Sequence, residues 1–229
     1  MGYRKHPIFT DQIYHVFNRG IAKSPIFFEK RDYQHFLEVT NFYRFSSPNL
    51  RFSYYNRLEQ NSRSLFLKEL EEKGPKQVNI YAFCLIPNHF HFVMKESKDD
   101  GIRKFISNLQ NSYAKYINTK MKRTGSLFQE MFKAERIESD EQLIHTVRYV
   151  HLNPYTSFLV KELNQLRNYP WSSFNSYLDK NSFSFLDTDF INSFYKTKEI
   201  FLSFTLDQAD YQRRLSEIKH LTLDQDTSD

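Results

Sequence analysis

The sequence predicts an α+β fold: a small antiparallel sheet with helices packed on one face. Three observations lead there. Residues 77–96, QVNIYAFCLIPNHFHFVMKE, form two β-rich runs on either side of Pro87-Asn88, a turn signal, and so read as a hairpin. Residues 99–125 and 139–154 carry apolar side chains at helical spacing. The order strand, helix, hairpin, helix, strand, helix then layers helices over a sheet whose opposite face is left free for a ligand.

QIYHVFNRG (12–20) alternates and ends at Gly20, so it reads as the first strand. KRDYQHFLEVTNFYRF (30–45) places Tyr33, Phe36, Leu37, Val39 and Phe42 on one helical face, with Asp32 as the expected N-cap. SSPNLRFSYYNR reads as irregular. Residues 61–74 read as a helix stopped by Gly74, and 46–76 as an insertion in the core fold. After the hairpin, the helix over 99–125 is expected to end at Gly125, and 126–139 to form a strand. The helix over 139–154 starts at Ser139, in capping-box spacing with Gln142, and closes at Pro154. NYPWSSFNSYL reads as an aromatic loop, and the stretch from 183 as two helices and a polar tail. The expected organisation is a catalytic domain over 1–180 and a helical, polar extension over 181–229.

The chain has 229 residues, 40% hydrophobic and 17% aromatic, enough for a sizeable core. Its single cysteine, Cys84, excludes an internal disulfide and suits a reducing compartment. No apolar run approaches the ~18 residues of a membrane span, and the N-terminus lacks the apolar stretch of a secretory signal. A cytoplasmic protein, monomer or homodimer, with no membrane partner is expected. Charge is uneven. Arg103 to Arg136 holds eight Lys or Arg against two Glu, whereas Asp207 to Asp229 holds six acidic residues against three basic ones. That pattern fits a polyanion such as nucleic acid, or a solvated helix face with a solubilising tail.

IPNHFHFV (86–93) carries the first chemical signal. Residues two apart in a strand share a face, so His89 and His91 project together, roughly 6.6 Å apart along the chain. Phe90 and Phe92 then point into the core. Two imidazoles on one face can bind one metal ion; they can equally be two surface histidines. The helix HTVRYVHLNP carries the second signal. Tyr149 and Asn153 are four apart and lie on one helical face, with His145 a further four residues back. Asn153 offers an oxygen donor, and Tyr149 a phenol able to form a covalent ester. Tyr113 and Tyr116 have Ile117 and Lys120 four residues on, and so lack such a partner. Spacing alone leaves an amphipathic tyrosine and a helix-ending Asn in contention. Lys115, Lys120, Lys122, Arg123, Lys133 and Arg136 are candidates for phosphate contacts. Trp171, before Ser172 and Ser173, is a candidate for stacking on an unpaired base, or for capping the core.

Taken together, IPNHFHFV, the tyrosine four before Asn153-Pro154, and YPWSSFNSYL resemble the single-tyrosine HUH transposases (IS200-like), especially the REP-associated tyrosine transposases. YHVFNRG, DYQHFL and TGSLFQEMFK extend the resemblance over most of residues 12–178. Phe128 and Met131 depart from the family, which often has Trp and Arg in that segment. The resemblance implies a ferredoxin-like or RRM-like HUH fold. It implies His89 and His91 as paired metal ligands, Asn153 as the third ligand and Tyr149 as the nucleophile. The implied cofactor is a divalent metal, Mg2+ or Mn2+, and the implied partner is single-stranded DNA beside a hairpin. The expected activity is DNA cleavage and rejoining through a 5′-phosphotyrosine, with His145 or His151 available to take the phenol proton. Two rivals stay open: a non-catalytic nucleic-acid-binding module with an RRM-like sheet, and a metal-dependent phosphodiesterase that uses water.

Overall fold

The computed structural model describes residues 7–46, 48–129, 131–178 and 183–214. Four strands, β1 (Ile13–Arg19), β2 (Val78–Ile86), β3 (His89–Glu96) and β4 (Lys133–Ile137), form one antiparallel sheet in the order β2-β3-β1-β4. The eight α-helices among the described residues are α1 (Lys30–Tyr43), α2 (Phe52–Tyr55), α3 (Gln60–Lys73), α4 (Gly101–Lys120), α5 (Asp140–Thr156), α6 (Phe174–Leu178), α7 (Thr188–Asn192) and α8 (Lys198–Leu206). The α+β class is the one the sequence predicts. Among the described residues no helix is long and apolar enough to cross a membrane.

Alternation along the strands sorts their side chains between two cores. Tyr14, Val16, Phe83, Leu85, Phe90 and Phe92 pack with Phe36 of α1 and with Phe105, Leu109 and Tyr113 of α4. Cys84, Ile86 and Val93 point the other way, against Leu143, Val147 and Val150 of α5. The expectation of a wholly free second face is therefore corrected: α5 lies over its β2–β3 half. The near-continuous apolar run of β2 carries this signal, because a strand covered on both faces does not alternate. Phe201 of α8 and Ile191 of α7 extend this second core. On the same face β4 is exposed at Lys133 and Glu135, whereas Ile137 at its far end and His15 of β1 are buried.

Several ends differ from expectation for local reasons. Glu29, not Asp32, caps α1; Asp32 sits three residues on and accepts the backbone N–H groups of Phe28 and Glu29. The segment expected to be irregular includes α2. α4 ends at Lys120 rather than Gly125. Asn118 donates to the Gly125 carbonyl at 2.9 Å, and Lys122 takes a left-handed conformation, so the turn closes five residues early. Gly101 opens α4 where a Cβ would meet the Gln77 carbonyl oxygen at 2.2 Å. β4 starts at Lys133, seven residues later than expected. α5 continues through Pro154 to Thr156.

The WSS element is structural. The Ser173 hydroxyl accepts the Phe83 N–H at 2.9 Å and lies 2.9 Å from Nε2 of the buried His151. Ser173→Ala leaves both groups short of a partner, and chemical denaturation should show a loss of about 1–3 kcal/mol. The Trp171 ring stacks on Tyr33, with centroids 4.7 Å apart, and its carbonyl accepts the Leu85 N–H. This is the core-capping arrangement.

Candidate active site

The two histidines of β3 stand together on the second face. Their ring centroids are 4.9 Å apart. Each commits one nitrogen to the protein: His89 Nδ1 lies 2.7 Å from Asn88 Oδ1, and His91 Nδ1 lies 2.9 Å from His15 Nε2. His91 Nε2 is buried without a partner. Burial lowers the His89 pKa to about 4, with the Arg19 charge adding to the effect. Burial holds His91 well below its ordinary value, helped by His89, His15 and Arg19. Both rings are thus neutral at physiological pH, the form in which an imidazole can bind a metal.

α5 brings Tyr149 over this pair. Ser139 starts the helix, its hydroxyl accepting the Gln142 N–H while Gln142 Oε1 accepts that of Glu138. Further along the helix the Tyr149 ring meets His91 and His15 edge-on, at centroid distances of 5.7 and 5.8 Å. The side chain keeps an opening to solvent, with Tyr149 42% exposed. Burial raises its pKa; a hydrogen bond with Asn153 and the Arg19 charge act against that rise. Asn153, one turn on, is buried and donates Nδ2 to the Tyr149 carbonyl at 3.0 Å. Its amide oxygen is the remaining donor atom.

The structure therefore brings His89, His91 and Tyr149 together, with Asn153 beside Tyr149. His145 and His151 turn away. His145 Nδ1 lies 2.7 Å from an Arg148 nitrogen, and its ring packs on Phe204. His151, two residues from Tyr149, falls on the opposite side of α5 and is enclosed by Phe174, Tyr177 and Phe201. Neither is placed to accept the phenol proton.

The basic residues divide. Lys133 crosses from β4 over the Phe17 ring at 5.8 Å, beside the histidines. Lys115, Lys122 and Arg123 are exposed, and Arg123 donates to the Ser126 carbonyl. Arg136 donates to Gln12. Lys120 is committed to Glu29 at 2.6 Å and to the buried Asp32 at 2.5 Å. Lys120→Ala should therefore chiefly cost stability: the buried Asp32 carboxylate keeps its hydrogen bonds from Phe28, Glu29 and Tyr116 but loses the lysine, a loss of about 1–3 kcal/mol that thermal unfolding would reveal.

Two residues of this site were not singled out by sequence reasoning. His15 and Arg19 lie on β1, and Arg19 pairs directly opposite His89. Among the described residues Arg19 makes no ion pair. Alternation in YHVFNRG does put both on one face. That this face is shared with the histidines depends on β1 pairing with β3, which alternation does not reveal.

Among the described residues, no three His, Cys, Asp or Glu side chains converge as a metal cage. Residues 48–153 match the family described as "Transposase IS200 like". The IS200-like match spans His89, His91, Tyr149 and Asn153 and leaves β1 outside. Among solved structures, the chain is similar to "Structure of the REP associates tyrosine transposase bound to a REP hairpin". The identity is 15% and the TM-score 0.49, over 82% of this chain and 97% of that one. No curated protein matches the chain.

Proposed function

We propose that this chain is an IS200-like transposase, a metal-dependent single-stranded DNA endonuclease that cuts and rejoins DNA through a 5′-phosphotyrosine at Tyr149, next to DNA hairpins. The observation that carries the reading is the Tyr149 ring set edge-on against His91, whose Nε2 is buried and unpartnered. In this reading residues 1–180 form the catalytic domain and 181–229 an extension.

The residues fit a divalent ion. His89 and His91 are neutral, with their Nδ1 atoms engaged and their Nε2 atoms available, and Asn153 supplies an amide oxygen. Mg2+ or Mn2+ would be held by these three. Such an ion, when bound, polarises the scissile phosphate. Two nitrogen ligands alone would equally suit zinc, so the choice of metal rests on the family resemblance.

The chain's own groups supply the rest. The Tyr149 oxygen attacks phosphorus, forming the Tyr–O–P bond as the P–O3′ bond breaks. The phenol proton leaves to solvent through the opening at Tyr149, and the departing 3′ oxygen takes up a proton. Asn153 and Arg19 favour the phenolate. Arg19, opposite His89 and without an acidic partner among the described residues, neutralises the phosphate. The phosphoester link is conserved, so a second strand can be joined without a nucleotide cofactor.

The exposed part of β4, with Lys133, is the path for the strand. Neutralising Lys122, Arg123 and Lys133 together should weaken binding and reduce the log–log salt slope by about 2, near 0.7 for each phosphate no longer neutralised. Filter binding across a salt series measures this; an unchanged slope makes these side chains a solvated face.

One observation favours a second reading. The missing third His, Cys, Asp or Glu among the described residues suits a non-catalytic nucleic-acid-binding protein with an RRM-like sheet. Incubation of end-labelled hairpin DNA with Mg2+ or Mn2+ separates the two. Cleavage with retained protein supports the transposase, and binding without cleavage supports the module.

A further inference from the structure

We infer that His15 is a positioning residue that fixes the proton of His91 on Nδ1, so that the His91 Nε2 lone pair faces the site. Its purpose rests on the proposed reading, whereas its geometry stands apart from it.

The 2.9 Å bond between His15 Nε2 and His91 Nδ1 holds one proton, and either ring can carry it. Two observations choose. If His15 donated, neutral His91 would carry its proton on Nε2. That atom is buried and has no partner in the protein, so an N–H there would stay unsatisfied and repel a cation, whereas a lone pair there is satisfied once a cation binds. If His91 donates, Nε2 is a bare lone pair, as a metal ligand requires. The second observation is Glu135. Its Oε2 lies 3.8 Å from His15 Nδ1. A carboxylate there draws the His15 proton to Nδ1 and leaves His15 Nε2 as an acceptor. Both point to one arrangement: Glu135, then His15 protonated on Nδ1, then His91 protonated on Nδ1, then a free His91 Nε2. An ion-binding imidazole whose other nitrogen is held by a hydrogen bond in this way has a fixed orientation and tautomer.

The placement of His15 is enforced. Its ring stacks on Phe17 at 4.8 Å and lies nearly parallel to His91 at 5.1 Å, and the Tyr149 edge closes on it at 5.8 Å. His15 thus touches both the ligand and the nucleophile from a strand outside the matched family segment.

The test uses the full chain with 15N-labelled histidines. Long-range 1H–15N spectra of the wild type should show His91 protonated on Nδ1. His15→Phe removes the acceptor and keeps a flat ring; His91 should then shift towards the other tautomer, and Mn2+ affinity by EPR should fall about 10–100-fold. His15→Gln restores an acceptor and should recover part of that affinity, which a purely space-filling role would not produce. Circular dichroism confirms the fold. Nε2-protonated His91 in the wild type overturns the inference even if His15→Phe does not fold, and so does wild-type Mn2+ affinity in a folded His15→Phe. Mn2+ bound by the wild type and lost in His15→Phe supports it even without DNA cleavage, a result that would count against the proposed chemistry instead.

Discussion

Replacing His89 or His91 by alanine is expected to abolish divalent-ion-dependent cleavage of single-stranded DNA while the protein still folds. Each ring offers one uncommitted nitrogen to the site, so either substitution removes one of two imidazole donors. Removal of a single electrostatic contact to a transition state costs about 10²–10³ in rate, and loss of the ion itself costs more. The structural cost differs between them. His91 is 4% exposed, and its removal orphans His15 Nε2, at about 1–3 kcal/mol. That lies within the 5–15 kcal/mol stability of an ordinary domain, roughly. His89 is less buried and is bonded to the adjacent Asn88, so His89→Ala is the cleaner variant. Cleavage of end-labelled DNA and a melting curve, measured together, decide the matter. Undiminished cleavage by both variants would remove the metal.

Tyr149→Phe is expected to eliminate the covalent protein–DNA adduct and leave DNA and Mn2+ binding within a few-fold of wild type. Phenylalanine keeps the ring edge that meets His15 and His91 and loses the nucleophilic oxygen. Tyr113→Phe and Tyr116→Phe should retain the adduct. α4 packs on the sheet face away from the histidines, where Tyr113 donates to the Ile26 carbonyl at 2.7 Å and Tyr116 to Asp32 at 3.0 Å. Denaturing gels of labelled DNA read the adduct directly. DNA cut by Tyr149→Phe with no linked protein would make water the nucleophile, as in a phosphodiesterase.

The parts of this molecule that repeat at short range were legible in its sequence. Alternation in NIYAFCLIPNHFHFV gave the hairpin, and with it the shared face of His89 and His91. A four-residue step gave Tyr149 and Asn153, and the 3.6-residue period gave α1, α4 and α5. Long-range relations were not legible. Covering of the second face by α5 follows from apolar residues on β2 and α5 that must bury each other, yet nothing local names the partner. His15 and Arg19 became site residues through the β3-β1 pairing, which joins chain segments some 70 residues apart in register. His151 and Lys120 misled for the same reason. A histidine two residues from a nucleophile and a lysine in a basic run look functional until Ser173 and Asp32, far away in sequence, are seen to hold them.

In the proposed reaction Tyr149 becomes covalently joined to the 5′ end of the cut strand. Mass spectrometry of the wild-type protein, after reaction with hairpin-bearing single-stranded DNA and Mn2+ and digestion of both polymers, tests this most directly. A nucleotide 5′-phosphate is expected on the peptide that contains Tyr149. A phosphate adduct on any other tyrosine, or cut DNA with no modified peptide, would contradict it.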